Sequence, residues 1–403
     1  MKCATFFLQT LGAPMRTNRN FLQRRARNLR TYVAMAAMAG TCGLAGISPV
    51  AASDTHVSAF DFYGPTMIGL RGVRSHIQHT VDLIQFQNRM MGGGFSRPIP
   101  FAPEFNELEA NIFGIDPSVL GYAKSPQKMV YKAQPQPVSA TRYNVWGQLF
   151  GDHESRSGTF NGVDIGRETS TVGGIAGVDA IITGFPSASQ ALVLGFFHGG
   201  LASWVRNNDG TTARVTGPTL GVYAALVSGG FSVDGTVKAD FLSLNTTAVG
   251  APGVELGMGN YVGSLNVNYK FEFNPAWIEP TAGVTFTRSI WDDASRAQGF
   301  QDGTQVRLQA GARIGTSYDW GGVRVEPTLA LLVYDDVIVN GGSVAAAAGA
   351  AAVPTDEGQL FAQAIGKLNF VLSNNLSAYV EGEVRGREGV FGVGGRGAVR
   401  YSF

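Results

Sequence analysis

The sequence predicts an all-β protein: a twelve-stranded antiparallel transmembrane β-barrel, preceded by a short N-terminal segment with a helix and a linker. Three observations predict this fold. Residues 142–403 alternate apolar and polar side chains in segments long enough for a tilted strand to cross a bilayer, which takes about 9–11 residues. Turn residues separate these segments at hairpin spacing. The last segment ends on the aromatic Phe403, with no polar tail.

Residues 1–52 have the features of a secretory signal peptide. Arginines crowd Arg24–Arg30, the apolar run Thr31–Ala52 follows, and the small residues at its end suit cleavage after Ala52. A single membrane anchor is the alternative, but the alanine and glycine content and the cleavage site favour a cleaved signal. Initiation at Met15 would give the basic part a more usual length. We therefore expect an exported protein.

The composition restricts the chemistry that the mature protein can perform. Both cysteines, Cys3 and Cys42, precede the predicted cleavage site, which excludes disulfides, thiolate metal ligands and a cysteine nucleophile after cleavage. The net charge of +1 gives no reason to expect a nucleic-acid partner. The 54 glycines and the charged fraction of only 15% favour strands and turns over helices.

The segment between the signal and the barrel, residues 53–141, is predicted to contain one helix and a proline-rich linker. Apolar residues recur at helical spacing over residues 65–91, and Gly92–Gly94 end the pattern. At 1.5 Å per residue this helix is long enough to cross a barrel. Prolines punctuate the chain from Phe95 onward, with one short helix expected near residues 105–113. The helical face consists of Leu70, Val73, Ile77, Val81, Ile84 and Met91.

The barrel is predicted from twelve alternating segments. They are Tyr143–Gly151, Thr169–Ile181, Ala191–Val205, Thr216–Val227, Phe231–Leu244, Asn260–Phe271, Trp277–Ile290, Thr304–Tyr318, Val323–Tyr334, Gln359–Val371, Ser377–Arg385 and Val390–Phe403.

The connections between these segments are predicted to alternate strictly between short turns and longer loops. Short turns are expected at 228–230, 274–276, 319–322 and 373–375. The longer loops include 151–167 and 335–358, the second of which is rich in alanine. Short periplasmic turns and long outer loops are typical of outer-membrane barrels, and an even strand number leaves both barrel ends on the periplasmic side.

Charged residues in mid-strand are predicted to line a polar lumen in which opposite charges face each other. A soluble β-protein would place such charges outside, and alternation alone does not separate the two cases. The hairpin spacing, the signal, the terminal Phe403 and the missing cysteines favour the membrane barrel. The candidate lumen charges are Lys238, Asp240, Glu279, Arg307, Arg313, Glu326, Glu381, Glu383 and Arg385.

The histidines give little support for catalysis or metal binding. His76 and His79 share a helix face, but no carboxylate completes a ligand set, so we expect a solvated polar face. His153 lies between two acids and is expected in a mobile external loop. His198 could serve a hydrolase only with a serine beside it, and Ser203 falls on the opposite strand face. We expect no enzyme activity, no metal and no cofactor.

Residues 142–403 resemble the translocator domain of autotransporters, the type V secretion proteins of Gram-negative bacteria. The resemblance implies a monomeric twelve-stranded barrel in outer-membrane lipid, threaded by the chain before its first strand. It also implies periplasmic chaperones and the barrel-assembly machinery as partners. The barrel-assembly machinery would recognise Val399, Tyr401 and Phe403. The matching stretches are VWGQLFGDHES (145–155), STVGGIAGVDA (170–180), WIEPTAGVTFTR (277–288), RVEPTLALLVYDD (324–336) and RYSF (400–403).

The sequence departs from that family in the segment before the barrel. Residues 53–141 show no internal repeat and are too few for a sizeable enzyme. The expected function is export or display of this N-terminal segment at the cell surface. The alternatives are a structural or adhesive surface barrel acting through loops 151–167 and 335–358, and a small-solute pore with a lumen of mixed charge.

Overall fold

The computed structural model describes residues 63–90 and 140–403, apart from gaps at 161–162, 186, 188–189, 248–252, 274, 298–299 and 341–357. The predicted signal peptide, the predicted helix near residues 105–113 and nearly all of the alanine-rich stretch at 343–358 lie outside the described residues.

Twelve long antiparallel strands form the barrel, as predicted. They are β1 (Ala140–Arg156), β2 (Arg167–Thr183), β3 (Gln190–Asn207), β4 (Thr212–Ser228), β5 (Phe231–Thr247), β6 (Val254–Tyr269), β7 (Ala276–Trp291), β8 (Gly303–Thr316), β9 (Val323–Asn340), β10 (Leu360–Val371), β11 (Leu376–Arg387) and β12 (Val390–Ser402).

The sheet closes on itself because β1 pairs with β12 as well as with β2. At this seam Val145 lies opposite Tyr401, and the Phe403 amide donates a hydrogen bond to the Tyr143 carbonyl at 2.9 Å. A closed sheet leaves no unpaired strand edge, which hydrocarbon would not tolerate. The prediction of a closed twelve-stranded antiparallel barrel is confirmed.

The period-two pattern of the strands separates an apolar outer wall from an inner wall. Along β7, exposed and buried residues alternate over nearly the whole strand. Ile278 and Phe286 are exposed on the outside, whereas Glu279 and Thr285 are buried inside. Successive side chains of a strand point to opposite faces, so one strand can present hydrocarbon to lipid and polar groups to the lumen.

One end of the barrel, here called the short-turn end, carries the connections at 184–189, 229–230, 270–275, 317–322 and 372–375. The tightest is the two-residue turn between β4 and β5. Gly229 has a φ of 66° there, a left-handed conformation that glycine adopts without a steric penalty. The opposite, long-loop end carries the connections at 157–166, 208–211, 248–253, 292–302, 341–359 and 388–389.

The predicted strict alternation of short and long connections is wrong at the long-loop end. The connections at 208–211 and 388–389 are tight turns, because the strands on either side extend almost to each other. β1 likewise runs to Arg156, so the predicted external loop 151–167 contributes its first residues to the strand.

A short helix, α2 (Asp293–Ala297), braces the loop between β7 and β8. Asp292 accepts hydrogen bonds from the Ser295 hydroxyl at 2.5 Å and from the Ser295 amide at 2.8 Å. These two bonds hold the pKa of the Asp292 carboxyl below its usual value. The loop then returns Phe300 onto Trp291, with ring centroids 4.6 Å apart, and so covers part of the lumen at the long-loop end.

The long helix of the described chain is α1, Tyr63–Met90, close to the predicted span of 65–91. Its 28 residues measure about 42 Å at the usual rise of 1.5 Å per residue. Neither α1 nor α2 is apolar enough over sufficient length to span a bilayer as a helix.

Candidate functional site: the helix inside the barrel lumen

Helix α1 lies inside the barrel, and its polar side chains hydrogen-bond to the inner wall near both helix ends. Near the N-terminus, Thr66 Oγ1 accepts a hydrogen bond from Asn260 Nδ2 at 2.7 Å, in the half of β6 nearer the long-loop end. Near the C-terminus, Gln85 Nε2 donates to the Gly229 carbonyl of the β4–β5 turn at 3.3 Å. The N-terminus of α1 therefore faces the long-loop end, and its C-terminus faces the short-turn end.

The apolar face of α1 packs against an apolar part of the inner wall formed by β1–β5. Val73 and Ile77 are 0% exposed, and Val81 and Ile84 are buried with them. Burial is worth about 1.5–3 kcal/mol for each such side chain. The predicted helical face is thus confirmed for these four residues. Leu70 is buried apart from them, against Val262, and Met91 lies outside the described residues. The opposing wall residues include Trp146, Ile175, Val193, Phe197, Ala225 and Val227.

The polar face of α1 meets a charged part of the wall, and one buried cluster fixes the C-terminal half of the helix. Asp82 accepts hydrogen bonds from Lys270 Nζ at 2.6 Å and from both terminal nitrogens of Arg313 at 3.2 and 3.3 Å. Arg313 also donates to Glu279 Oε1 at 2.7 and 2.9 Å. The indole ring of Trp277 lies 4.3 Å from Lys270 Nζ. Each charge in this cluster has an opposite partner, which buried ions require.

A second network of charges fixes the N-terminal half of α1. Arg71 Nη1 lies 2.8 Å from Glu383 Oε1, and the Ser75 hydroxyl donates to Glu381. Arg396 bridges both acids: it donates to Glu383 and lies 3.3 Å from Glu381 Oε1. The helix is therefore tied to β11 and β12 as well as to the strands that hold Asp82.

The nine charged residues predicted to line the lumen all face the barrel interior; Arg307 is half-buried and the other eight are buried. Several meet an opposite charge on a neighbouring strand. Arg313 pairs with Glu279 across β7 and β8, and Arg307 Nε lies 2.7 Å from Asp336 Oδ1. Lys238 pairs within its own strand, with Asp240 at 2.9 Å. The nine residues are Lys238, Asp240, Glu279, Arg307, Arg313, Glu326, Glu381, Glu383 and Arg385.

His76 and His79 are buried in the lumen, so the expectation of a solvated polar face is wrong. His76 Nε2 lies 3.2 Å from Asp179 Oδ2, and its ring stacks on Trp146 with centroids 3.9 Å apart. His79 Nδ1 lies 3.0 Å from Asn369 Oδ1. The sequence showed which helix face carries the histidines but not that a barrel wall surrounds it. Within the described ranges, no group of three His, Cys, Asp or Glu side chains has metal-binding geometry.

The other two candidate histidines are exposed on the outer wall. His153 lies within β1, with Nδ1 3.0 Å from Ser170 Oγ, so its predicted place in a mobile external loop is wrong. Its strand continues because β1 pairs with β2 as far as Arg156. His198 is exposed, whereas Ser203 is 0% exposed and accepts a hydrogen bond from Thr171 Oγ1 at 2.9 Å. The prediction that His198 and Ser203 occupy opposite faces is confirmed.

Val399, Tyr401 and Phe403, the positions that the resemblance singled out, are exposed on the outer surface at 54%, 48% and 68%. The Phe403 ring lies 6.4 Å from that of Tyr143 across the seam. These aromatic rings lie at the short-turn end of the barrel, where an interfacial aromatic belt is expected.

Two glycines of α1 let the helix approach the wall closely. A Cβ atom at Gly72 would lie 2.5 Å from Gln148 Nε2, and one at Gly69 would lie 3.2 Å from Lys238 Nζ. Glycine in a helix interior costs about 1 kcal/mol relative to alanine, so closer packing has to offset that cost.

We expect the substitution Gly72→Leu to destabilise the folded protein by about 1–3 kcal/mol, since overpacking forces side chains or backbone to shift. The measurement is urea unfolding of the detergent-solubilised protein. Gly382→Leu is the control, because a Cβ at Gly382, on the outer wall, meets no atom within 4 Å. Equal stability of the two variants would show that α1 does not depend on this close approach.

The sequence interpretation missed the apolar inner wall, although a signal for it was present. The stretches ALVLGFF (191–197) and GVYAALV (221–227) are apolar on both strand faces. A strand with lipid on one face and water on the other alternates apolar and polar side chains. A strand with apolar side chains on both faces needs an apolar partner against each face. The inner partner is α1.

Comparison with known proteins identifies the family. Residues 145–383 match the autotransporter β-domain. The chain belongs to the autotransporter β-domain family. Membership implies an outer-membrane location for this autotransporter β-domain. No curated protein matches the chain.

Among solved structures, the β-domain of the Bordetella autotransporter BrkA has the same fold as this autotransporter β-domain. It is 17% identical with a TM-score of 0.50, covering 64% of this chain and 98% of its own. The translocator domain of NalP from Neisseria meningitidis is 14% identical with a TM-score of 0.48, covering 66% and 91%. The transport unit of AIDA-I from Escherichia coli is 15% identical with a TM-score of 0.46, covering 71% and 97%.

Proposed function

We propose that this protein is an outer-membrane barrel in which α1 remains as a resident plug and carries the chain before Tyr63 to the cell surface. The observation that carries the proposal is the direction of α1, from Thr66 near the long-loop end to Gln85 at the short-turn end. Short turns of outer-membrane barrels face the periplasm. The chain before Tyr63 then leaves the lumen on the outside, and the chain after Met90 leaves it on the periplasmic side.

The apolar contact between α1 and the wall supports permanent residence of the helix. Without α1, the inward side chains of β1–β5 such as Phe197 and Val193 would face a water-filled lumen. Exposing apolar surface costs about 25 cal/mol for each Å². A helix that only passed through during export would leave that surface uncovered, so the wall favours a resident helix over one that leaves the lumen with the exported segment.

The same arrangement argues against the alternative of an open pore for small solutes. The cavity beside α1 has a volume of about 60 Å³, room for a few waters rather than for a stream of hydrated solutes. We propose no enzymatic reaction for the barrel. As predicted from the sequence, we propose that the chain is exported from the cytoplasm by a signal peptide that is cleaved after Ala52.

For assembly, we propose that the barrel-assembly machinery reads β12 through Val399, Tyr401 and Phe403, after periplasmic chaperones deliver the chain. The support is that all three side chains are exposed on the outer surface at one end of the closing strand. A monomeric barrel in lipid needs no partner subunit, because the outer faces of its strands are mostly apolar around the closed sheet.

Thiol labelling on intact cells tests the proposed path of the chain. Cys3 and Cys42 precede the cleavage site, so the mature protein should carry no thiol. We expect Ser58→Cys to react with a membrane-impermeant maleimide on intact cells, and Ser96→Cys to react only after the outer membrane is opened. The wild-type chain is the control for background labelling.

The reverse labelling pattern would show that α1 runs the other way in the membrane. Labelling of Ser58→Cys only after permeabilisation would mean that the N-terminal segment stays in the periplasm. In that case the protein would act through its barrel loops, as the alternative of a structural or adhesive surface barrel holds.

A further inference from the structure

A cavity of about 60 Å³ remains between the polar face of α1 and the wall formed by β6–β12. A water needs about 10–15 Å³ measured in this way, so the cavity can hold a few waters or one small ion. The cavity exists because α1 packs against the apolar wall of β1–β5 on its other side and does not fill the lumen on this side.

The charges that line this cavity are nearly all positive. Among the described residues, Glu381 is the only acid in the lining, and it is already engaged by Ser75 and Arg396. The cationic lining residues are Arg71, Arg74, Arg307, Arg313, Lys367 and Arg396.

Two of these cations make no ion pair within 4 Å among the residues that the structure describes, although Asp234 attracts Arg74 and Glu381 attracts Lys367 from farther away. Arg74 Nη2 donates to Thr281 Oγ1 at 3.0 Å, and its Nε is buried without a hydrogen-bond partner. Lys367 Nζ donates only to neutral oxygens of Ser75, at 2.8 Å to the carbonyl and 3.2 Å to the hydroxyl. Leaving a buried charge without a counter-ion is costly.

The orphaned polar atoms around the cavity point to the same kind of ligand. Three buried side-chain atoms of the lining lack a partner within the described structure: Arg74 Nε, Arg396 Nε and Gln363 Nε2. All three are N–H donors, and arginine nitrogens cannot act as acceptors. A ligand that satisfies them must accept hydrogen bonds, and negative charge would also compensate Arg74 and Lys367.

We propose that this cavity binds a small inorganic anion between Arg74 and Lys367, of the size of a halide or a phosphate. The anion supplies the missing counter-charge and the missing acceptor, and it fixes the polar face of α1 to β10 and β12 while the apolar face holds β1–β5. This site does not depend on which end of α1 faces outward, so it stands or falls separately from the proposed display of the N-terminal segment.

Bromide tests the site because it is a halide that anomalous diffraction locates directly. Crystals of the full-length mature protein grown in sodium bromide are expected to show one anomalous peak in the cavity, within hydrogen-bond reach of Arg74 and Lys367. In solution, the unfolding temperature is expected to be higher in sodium bromide than in sodium gluconate at equal ionic strength, because gluconate is too large for the cavity.

Two variants decide whether the effect belongs to this site. We expect Lys367→Met to lose the increment in unfolding temperature between gluconate and bromide. Lys238→Met should keep it, because Lys238 pairs with Asp240 and does not line the cavity. No anomalous peak in the wild-type crystals, or an increment that Lys367→Met retains, would overturn the proposal and leave the cavity to water. The crystal result on the wild-type chain decides the matter even if a variant fails to fold.

Discussion

Replacing Ile77 by aspartate is expected to free α1 from the barrel wall and to open the lumen to ions. Ile77 is 0% exposed and belongs to the apolar cluster that includes Trp146 and Phe197. The variant would lose a buried aliphatic side chain and place a carboxylate where the wall is apolar, at a cost of about 3–5 kcal/mol. The strands are held by their own hydrogen-bonded ladders, so the helix should leave the wall before the barrel unfolds.

Planar-bilayer recording measures this change. The wild-type protein is expected to stay closed, and Ile77→Asp to show conductance steps that the wild type lacks. Gln87→Asp is the matched control, since it adds the same charge to the same helix at an exposed position. If Ile77→Asp remained as closed as the control, the apolar wall would not be what retains α1, and the proposal of a resident plug would lose its support.

Replacing Arg313 by leucine is expected to destabilise the folded protein by about 3–5 kcal/mol, the usual cost of removing one partner from a buried ion cluster. The change would leave Asp82 and Glu279 with Lys270 as the one cation of the cluster. Asp82→Asn alone should cost less, because Arg313 then keeps Glu279 at 2.7 Å.

Urea unfolding of the single variants and of Asp82→Asn/Arg313→Leu measures the coupling between helix and wall. The double variant is expected to be more stable than the sum of the single effects predicts. In it, neither substitution leaves the other residue's charge buried without its partner, because both charges are gone. Arg288→Leu is the control: its contact with Asp302 is 3.8 Å long and exposed, and such pairs contribute about 0–1 kcal/mol. Additive effects of the two cluster substitutions would show that the Asp82–Arg313 contact does not hold α1.

Local patterns in the sequence were sufficient for the number of strands and for the direction of most side chains. The period of two shows only that one strand face differs from the other. Together with the hairpin spacing and the signal peptide, it correctly predicted that Lys238 and Glu279 face the barrel interior. The period of 3.6 in the same way indicated Val73 and Ile77 as one helix face. Turn positions were less certain, because β1, β3 and β4 extend beyond the turn residues that were expected to stop them.

The sequence by itself therefore determined the barrel, the charged part of its interior and the amphipathic helix. Only the tertiary structure decided that the helix lies in the lumen, with Asp82 against Arg313 and His76 against Asp179. The physical reason is that the alternation of side chains along a strand shows which face of the strand a residue occupies, but not which residue of another element packs against it. Contacts such as Asp82–Arg313 join residues far apart in the chain, and they depend on the depth and rotation of α1, which local periodicity does not encode.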